Sequence, residues 1–524
     1  MLKTALIFGN NMVLQRGKNI TVWGTAAPAA RITVSVQDKS SETAAEEDGL
    51  WQVILSPLHT SFEETMTITS SEGEKIQYTG VQVGEVWLAG GQSNMEFHMR
   101  YDADFDHEKE ICTNDSLRYF DYPEVSYPKQ TEEADYSKNY GFWRKAAPDQ
   151  LERFSAVAYY FAKELQKKYR IPVGIIGCNW GGTPACAWMT REGIEEGGGR
   201  IWLDEYESAV QNLDLAAYEK DYKSNPMSYN TDILANSFFD FMMYGCSAEE
   251  LAGKLSEMGI PDFTPVIGPY YERRPGGLYE SMLRPVAPFG IRGFIWYQGE
   301  TDGDCHPEIY HTLFPSLICD WRRLWSEELP FLFVQIAPLD QWMQCIGEPY
   351  AMIRDAQQHT VDSVAGTGMA VITDAGMQHD IHPKKKQPVG YRLALLAENK
   401  VYGDDILCEA PTLISAEQKT GELTLTFDNA GDGLELRDTV PYGQFVGRNC
   451  LGGLQIIQNG RELNAALLSA SVSGNKVIVS GPEINGSAET KIRLARTGWY
   501  LVNLYNSAGI PARPAEITVT ISGV

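Results

Sequence analysis

Residues 84–97 read GEVWLAGGQSNMEF, an apolar run that stops at two glycines and delivers Ser93 at its tip. Gly, Ser and Asn are common turn residues, so punctuation of a buried strand is one reading. Nucleophilic catalysis is the other, and it demands a base, an oxyanion hole and an accessible hydroxyl. The elbow motif G-x-S-x-G is absent, because Met95 stands where its last glycine belongs. Gln92 and Asn94 flank the serine as supporting polar groups.

The base must come from eight histidines. His379 and His382 stand in DAGMQHDIHPKKKQPVG, between the strand-like MAVITD and a helical pattern, which places them on a loop at a strand's C-terminal end. Of these two, His382 has an acid, Asp380, two residues before it and a proline after it. A carboxylate so spaced can meet the imidazole Nδ1–H, fix the tautomer and support the imidazolium. His379 reads as an ordinary loop residue. Oxyanion donors are expected at other strand ends. In CNWGGTPACAW the pair Gly181–Gly182 offers backbone N–H groups without side-chain obstruction, or simply makes a tight turn. In GFIWYQGETDGD, Gln298 can supply a side-chain N–H and Glu300 can orient it.

Other chemistries find less support. Asp302, Asp304 and His306 lie close together, but no further ligand set matches them, and a solvated acidic loop is the simpler reading. A carboxylate pair for glycoside hydrolysis can be drawn from Glu85, Glu96, Glu300 or Asp302, yet nothing singles out two of them. Neither G-x-G-x-x-G nor a P-loop is present.

The elements that must hold these residues change character along the chain. The first eighty residues read as a small antiparallel β-sandwich, with NITVWGTA, RITVSVQ, LWQVILS and TMTITSS separated by turn residues. From Gly84, five short apolar runs (EVWLAG, VGIIG, GFIWY, FLFVQIA and MAVITD) alternate with helical patterns. One such pattern, LERFSAVAYYFAKELQKKYR, puts Phe154, Val157, Ala158, Phe161, Ala162 and Leu165 on one helix face. Another, PVGYRLALLAENKVYG, gathers Val389, Leu393, Leu396 and Ala397, with Pro388 in its first turn. Alternating β and α elements predict an α/β domain whose parallel five-stranded sheet follows a flavodoxin-like order, with ligands at the C-terminal strand ends. Residues 190–280 interrupt the alternation with acidic, aromatic and Gly-rich sequence, and ELTLTF, LQIIQ, KVIVSG and TKIRLA mark a second β region. The expected domains are therefore 1–80, 81–404 with its excursion, and 405–524.

Composition narrows the partners. At 524 residues the chain is too long for one core, and 44 basic against 69 acidic residues give a net charge of −25. Such a balance repels nucleic acid and anionic membranes. Nine cysteines, singly spaced and odd in number, predict neither a disulfide framework nor a thiolate zinc site, and favour a cytoplasmic compartment. The N-terminal run Ala5–Phe8 is too short for a signal peptide, and no stretch has the roughly 20 apolar residues of a membrane span. A secreted or periplasmic location would require a leader already removed. Oligomeric state is not legible.

Four strand-end motifs in order, GQSN, WGGT, WYQGE and DIHP, resemble those of the SGNH-type carbohydrate esterases, and more narrowly the bacterial sialate O-acetylesterase group. NMVLQRGKNITVWGTA, RRPGGLYESMLRPVAPFGIRGFIWYQGETD and NLYNSAGIPARPAE are similar to stretches typical of that group, so the likeness runs nearly end to end, weakest at about 190–270 and 405–480. The resemblance implies a three-layer α/β/α hydrolase domain with β-rich accessory regions, acting on O-acetylated sugars without metal or organic cofactor. It implies Ser93 as nucleophile, His382 as general base, and an oxyanion hole from the Ser93 N–H, a glycine of the Gly181–Gly182 pair and Gln298. The wider superfamily's Asn block is replaced in this group by Q-G-E, as here. That superfamily also places its acid three residues before the histidine, where this chain has His379. Asp380 as third triad member, Asp374 or a backbone carbonyl orients His382, or a Ser–His dyad acts alone. Substrate readings are sialate esters, or acetylxylan and other acetylated carbohydrates. The competing classes are a non-catalytic carbohydrate-binding protein on an esterase-like scaffold, and a lipase-like or thioesterase enzyme.

Overall fold

The computed structural model describes residues 1–225, 228, 233–257, 259, 266–438 and 445–519, so parts of the 190–280 excursion and of the last β region lie outside the described residues. The chain divides into two compact units, residues 1–298 with 312–331 and residues 299–311 with 332–524. Among the described residues, no helix is long and apolar enough to cross a membrane.

The first unit is built on strands β1 (Lys75–Gly91), β2 (Asn114–Asp121), β3 (Trp143–Ala146), β4 (Val173–Asn179) and β5 (Gly293–Tyr297), in the spatial order β3-β2-β4-β1-β5. The pairs β2–β4, β4–β1 and β1–β5 are parallel, and β3 runs antiparallel to β2. β4 and β5 are buried at every position, as is β1 from Val81 onward. That is why these strands read as continuous apolar runs rather than as alternation. The sheet is mixed, whereas the sequence pointed to a parallel sheet of five strands. β2 and β3 escaped notice because NDSLRYFD and WRKA carry buried Arg118 and Arg144 among their apolar residues.

β1 also begins inside the N-terminal β region, where Lys75–Val83 pairs with Ser61–Ser70, so one strand runs through residue 80. The N-terminal strands Ile20–Thr25, Arg31–Val36 and Leu50–Leu55 bury alternate residues, as half-buried antiparallel strands do. Where β1 enters the core it carries Glu85, held between Arg292 and Arg16 at 2.6 Å each. Burial works against that carboxylate's charge, but the two guanidiniums hold it below the usual range. A buried charge persists only when paired in this way.

The helix Ala156–Tyr169 buries the face read from the sequence, Phe154 through Leu165. It starts at 156 because Ser155 caps it, accepting from Ala158 N–H, and it ends at Arg170 in the left-handed region. Helices Arg191–Glu196, Arg200–Val210 and Leu215–Ser224 occupy part of the excursion.

In the second unit, Phe331–Val334 and Thr367–Ala370 are neighbouring strands, and the helix Gln387–Lys400 buries Val389, Leu393, Leu396 and Ala397. The four C-terminal runs are all strands. Glu422–Asp428 and Lys476–Ser480 lie in one four-stranded sheet, and Leu454–Gln458 and Thr490–Leu494 in another. Their inward residues, including Leu425, Phe427, Val477, Ile456 and Ile492, form one core.

Candidate active site

The register of the first unit's sheet decides where its chemistry can sit. Gly91 of β1 lies opposite Asn179 of β4 and Tyr297 of β5. The ladder continues one step further, with Gln92 N–H donating to Tyr297 O at 3.1 Å and Trp180 N–H donating to Gly91 O at 3.1 Å. Ser93, Gly181 and Gln298 therefore all emerge just beyond the C-terminal edge of three adjacent strands.

Ser93 opens the helical turn Ser93–Glu96 and is 8 % exposed. The turn is pinned from behind: Ser155 Oγ donates to Met95 O at 2.6 Å, and Ala156 N–H donates to Phe97 O at 2.8 Å. The glycines before it serve packing. A Cβ at Gly90 would meet the Trp321 ring at 2.6 Å, and one at Gly91, whose φ is +136°, would meet Tyr297 O at 2.2 Å. Gln92 and Asn94 are both buried.

The WGGT turn closes against this serine. A Cβ built on Gly181 would lie 3.2 Å from Ser93 Cβ. The Gly181 N–H donates to Glu96 Oε2 at 2.7 Å, while Gly182 adopts φ +72°, which glycine takes without steric cost. Thr183 stiffens the turn by donating its hydroxyl to Trp180 O at 2.7 Å, and Gln298 Nε2 reaches Thr183 O at 3.3 Å. Gln298 is fully buried. The structure thus gathers Ser93, Gly181, Gly182 and Gln298.

Buried charge surrounds the turn. Burial pushes the Glu96 carboxyl up to about 7, with the Gly181 N–H opposing and Asp121 reinforcing the rise. Asp121 is likewise pushed up to about 6 by burial, against the pull of Arg144, Arg153 and Arg100. Burial and nearby arginines press the His98 imidazole well below its ordinary value. Glu85 is tied to its two arginines and Glu96 to Gly181, so neither stands as a glycosidase carboxylate.

In the second unit, the loop after Thr367–Ala370 carries Asp374, His379, Asp380 and His382. His379 is exposed, whereas His382 is 2 % exposed and sits edge-on to the Trp342 ring at 5.2 Å. Asp380 Oδ1 accepts the His382 backbone N–H at 2.8 Å and stands 3.6 Å from its Nδ1. Lys384 Nζ holds the other oxygen of Asp380 at 2.9 Å. Burial lowers the His382 pKa, with Asp380 opposing; His382 and Lys384 outweigh burial to keep Asp380 ionised below its usual value. Asp374 is engaged elsewhere, by Arg392 at 2.7 Å and the Tyr505 hydroxyl at 3.0 Å. Glu300 is buried at the start of the helix Glu300–Cys305. Asp304 accepts from Tyr350, and His306 faces Glu308. Among the described residues, no three His, Cys, Asp or Glu are grouped to hold a metal ion.

Sequence reasoning did not assign Glu96 as the acceptor for Gly181, nor Trp342 as the neighbour of His382. The one available signal was the closeness of Glu96 to Ser93.

Comparison with known proteins bears on these residues. Residues 267–394, which contain the WYQGE and DIHP motifs, match the family described as carbohydrate esterase, sialic acid-specific acetylesterase. The sialate O-acetylesterase of Mus musculus is 26% identical over 457 residues, spanning 80% of this chain and 77% of the mouse protein. That of Homo sapiens is 26% identical over 470 residues, spanning 81% and 76%. The crystal structure of a carbohydrate acetylesterase from Xanthomonas citri superposes with a TM-score of 0.72 at 27% identity, covering 98% of this chain and 99% of that one. Residues 267–394 are therefore similar to the sialic acid-specific acetylesterases, and the chain resembles a carbohydrate acetylesterase along nearly its whole length.

Proposed function

We propose that this protein is a serine esterase that removes O-acetyl groups from sugars, with O-acetylated sialic acids as its leading substrates and acetylxylan-type esters as the alternative. The observation that carries the reading is the convergence of Ser93, the Gly181–Gly182 turn and Gln298 at three adjacent strand ends, in a chain whose residues 267–394 match an acetylesterase family.

In this reading Ser93 Oγ attacks the acetyl carbonyl as His382 accepts its proton, and the sugar hydroxyl leaves with that proton. Water, deprotonated by the same histidine, then releases acetate from the acetyl-serine. Because the Gly181 N–H already serves Glu96, we assign the glycine donor of the oxyanion hole to Gly182, beside the Ser93 N–H and Gln298. Asp380 is the acid that supports His382, since Asp374 is held by Arg392 and Tyr505. The catalytic segment is residues 81–404, an SGNH-type α/β/α domain, flanked by β-rich regions 1–80 and 405–524. Nine free cysteines favour a cytoplasmic site of action.

Acetate release from a panel of O-acetylated sialic acids, acetylated xylo-oligosaccharides and acyl esters of increasing chain length tests the substrate class. Turnover confined to acetylated sugars is the expected result. Preference for acyl groups longer than about four carbons contradicts an acetyl pocket, since each buried CH₂ adds roughly 0.8 kcal/mol. Glycan binding without turnover on any ester overturns the reading.

A further inference from the structure

The geometry points to Arg273 as an anchor for a substrate carboxylate beside the oxyanion turn, selecting acidic over neutral acetylated sugars; this rests on the esterase reading above. A Cβ at Gly182 would meet Arg273 Nη2 at 2.8 Å, Cζ at 3.6 Å and Nε at 3.7 Å, so the guanidinium lies against that glycine. The stretch carrying it is pinned next to the WGGT turn, where Gly276 N–H donates to Cys186 O at 2.9 Å.

Two adjacent arginines behave differently here. Arg274 is used structurally, reaching Ser126 O at 3.4 Å and Glu280 at 3.3 Å. Among the described residues, Arg273 Nε is buried with no hydrogen-bond partner, as is Arg274 Nε, and no carboxylate pairs closely with the Arg273 guanidinium: Glu272 stands at 3.9 Å, beyond hydrogen-bond range. Its side chain is nevertheless 41% exposed, so a ligand can reach the fork. A guanidinium with open donors matches a carboxylate in two-point geometry, which a neutral hydroxyl does not reproduce.

Reach is also appropriate. Gly181 abuts Ser93 and Gly182 abuts Arg273, which bounds the separation from Ser93 Cβ to the guanidinium at roughly 13 Å. A nine-carbon sugar acid carrying an acetyl ester can bridge such a span; a neutral acetylated pentose offers nothing to the guanidinium. In a chain of net charge −25 a local cation at the site also offsets repulsion of an anionic sugar.

The test compares O-acetylated N-acetylneuraminate with its methyl ester, in the wild-type protein, Arg273→Gln and Arg273→Lys. Binding of the deacetylated acid and of its methyl ester is read separately by calorimetry. The expected result is at least a tenfold preference for the free acid in kcat/KM, falling to within twofold in Arg273→Gln and partly kept in Arg273→Lys, with the calorimetric preference following the same order. Equal handling of acid and methyl ester by the wild-type protein overturns the inference, as does an equal loss on both in Arg273→Gln. If no ester is hydrolysed at all, the esterase reading falls instead, and the calorimetric preference still decides the role of Arg273.

Discussion

Replacing Glu96 with glutamine isolates the cost of ionising a partly buried carboxyl three residues after Ser93. Glu96 accepts the Gly181 N–H at 2.7 Å, and an amide oxygen in the same place keeps that bond. What the substitution removes is ionisation. The folded-state value, about 7, lies above the ordinary 4.5. Between those two values the folded protein retains a proton that the unfolded chain has released. Stability therefore falls as pH rises through that window, and the loss is complete above about 7. The difference corresponds to about 3 kcal/mol. Taking the roughly 320 residues of the first unit to unfold together, with an unfolding entropy of roughly 2.1 cal/mol/K per residue, that is a Tm difference of about 4–5 °C. Calorimetric scans at pH 5 and pH 8 should show that Glu96→Gln loses less stability between the two than the wild-type protein does, by about this amount. Asp121 and Glu124 interact with Glu96, so the double difference reports Glu96 together with its coupling to these two carboxyls. Identical pH dependence in the two would refute the assignment of Glu96 as a proton-retaining carboxyl.

Four further outcomes are expected. Gln298→Ala lowers kcat on acetyl esters by about 10²–10³ with little change in KM, the cost of one oxyanion donor; steady-state kinetics check it. Activity rises with pH through a His382 pKa below 6.5 and is flat at neutral pH, because burial lowers that value. Asp380→Asn moves this acid limb further down, since Asp380 raises the His382 pKa, and lowers kcat by roughly tenfold or more; both appear in a pH–rate profile. Gly91→Ala places a Cβ 2.2 Å from Tyr297 O at φ +136°, costing on the order of 3 kcal/mol or more, visible as a lowered Tm.

Much of the site was legible because parallel strands buried on both faces advertise themselves as apolar runs, and the residues after each run must emerge at one sheet edge. Ser93, Gly181, Gly182 and Gln298 follow that logic. The helix face from Phe154 to Leu165 was equally plain, because its period needs no distant partner. What escaped depends on long-range approach. Glu96 meets a glycine 85 residues away, and Arg273 meets Gly182 only because the chain returns through Gly276 and Cys186. Gly90 and Gly91 owe their small size to Trp321 and the Tyr297 backbone, which fill the space a Cβ would need. Asp374 stands as an open candidate in the sequence because the groups that hold it, Arg392 and Tyr505, lie 18 and 131 residues on.

We propose that Ser93 and His382 form one nucleophilic pair. Acetate release from an O-acetylated sialoside, measured for the wild-type protein, Ser93→Ala and His382→Ala at matched circular dichroism, tests it directly. Each substitution alone is expected to lower kcat by more than about 10³-fold, with the double variant scarcely worse, as for residues acting as a unit. Full turnover in either single variant, or losses that simply multiply, would contradict it.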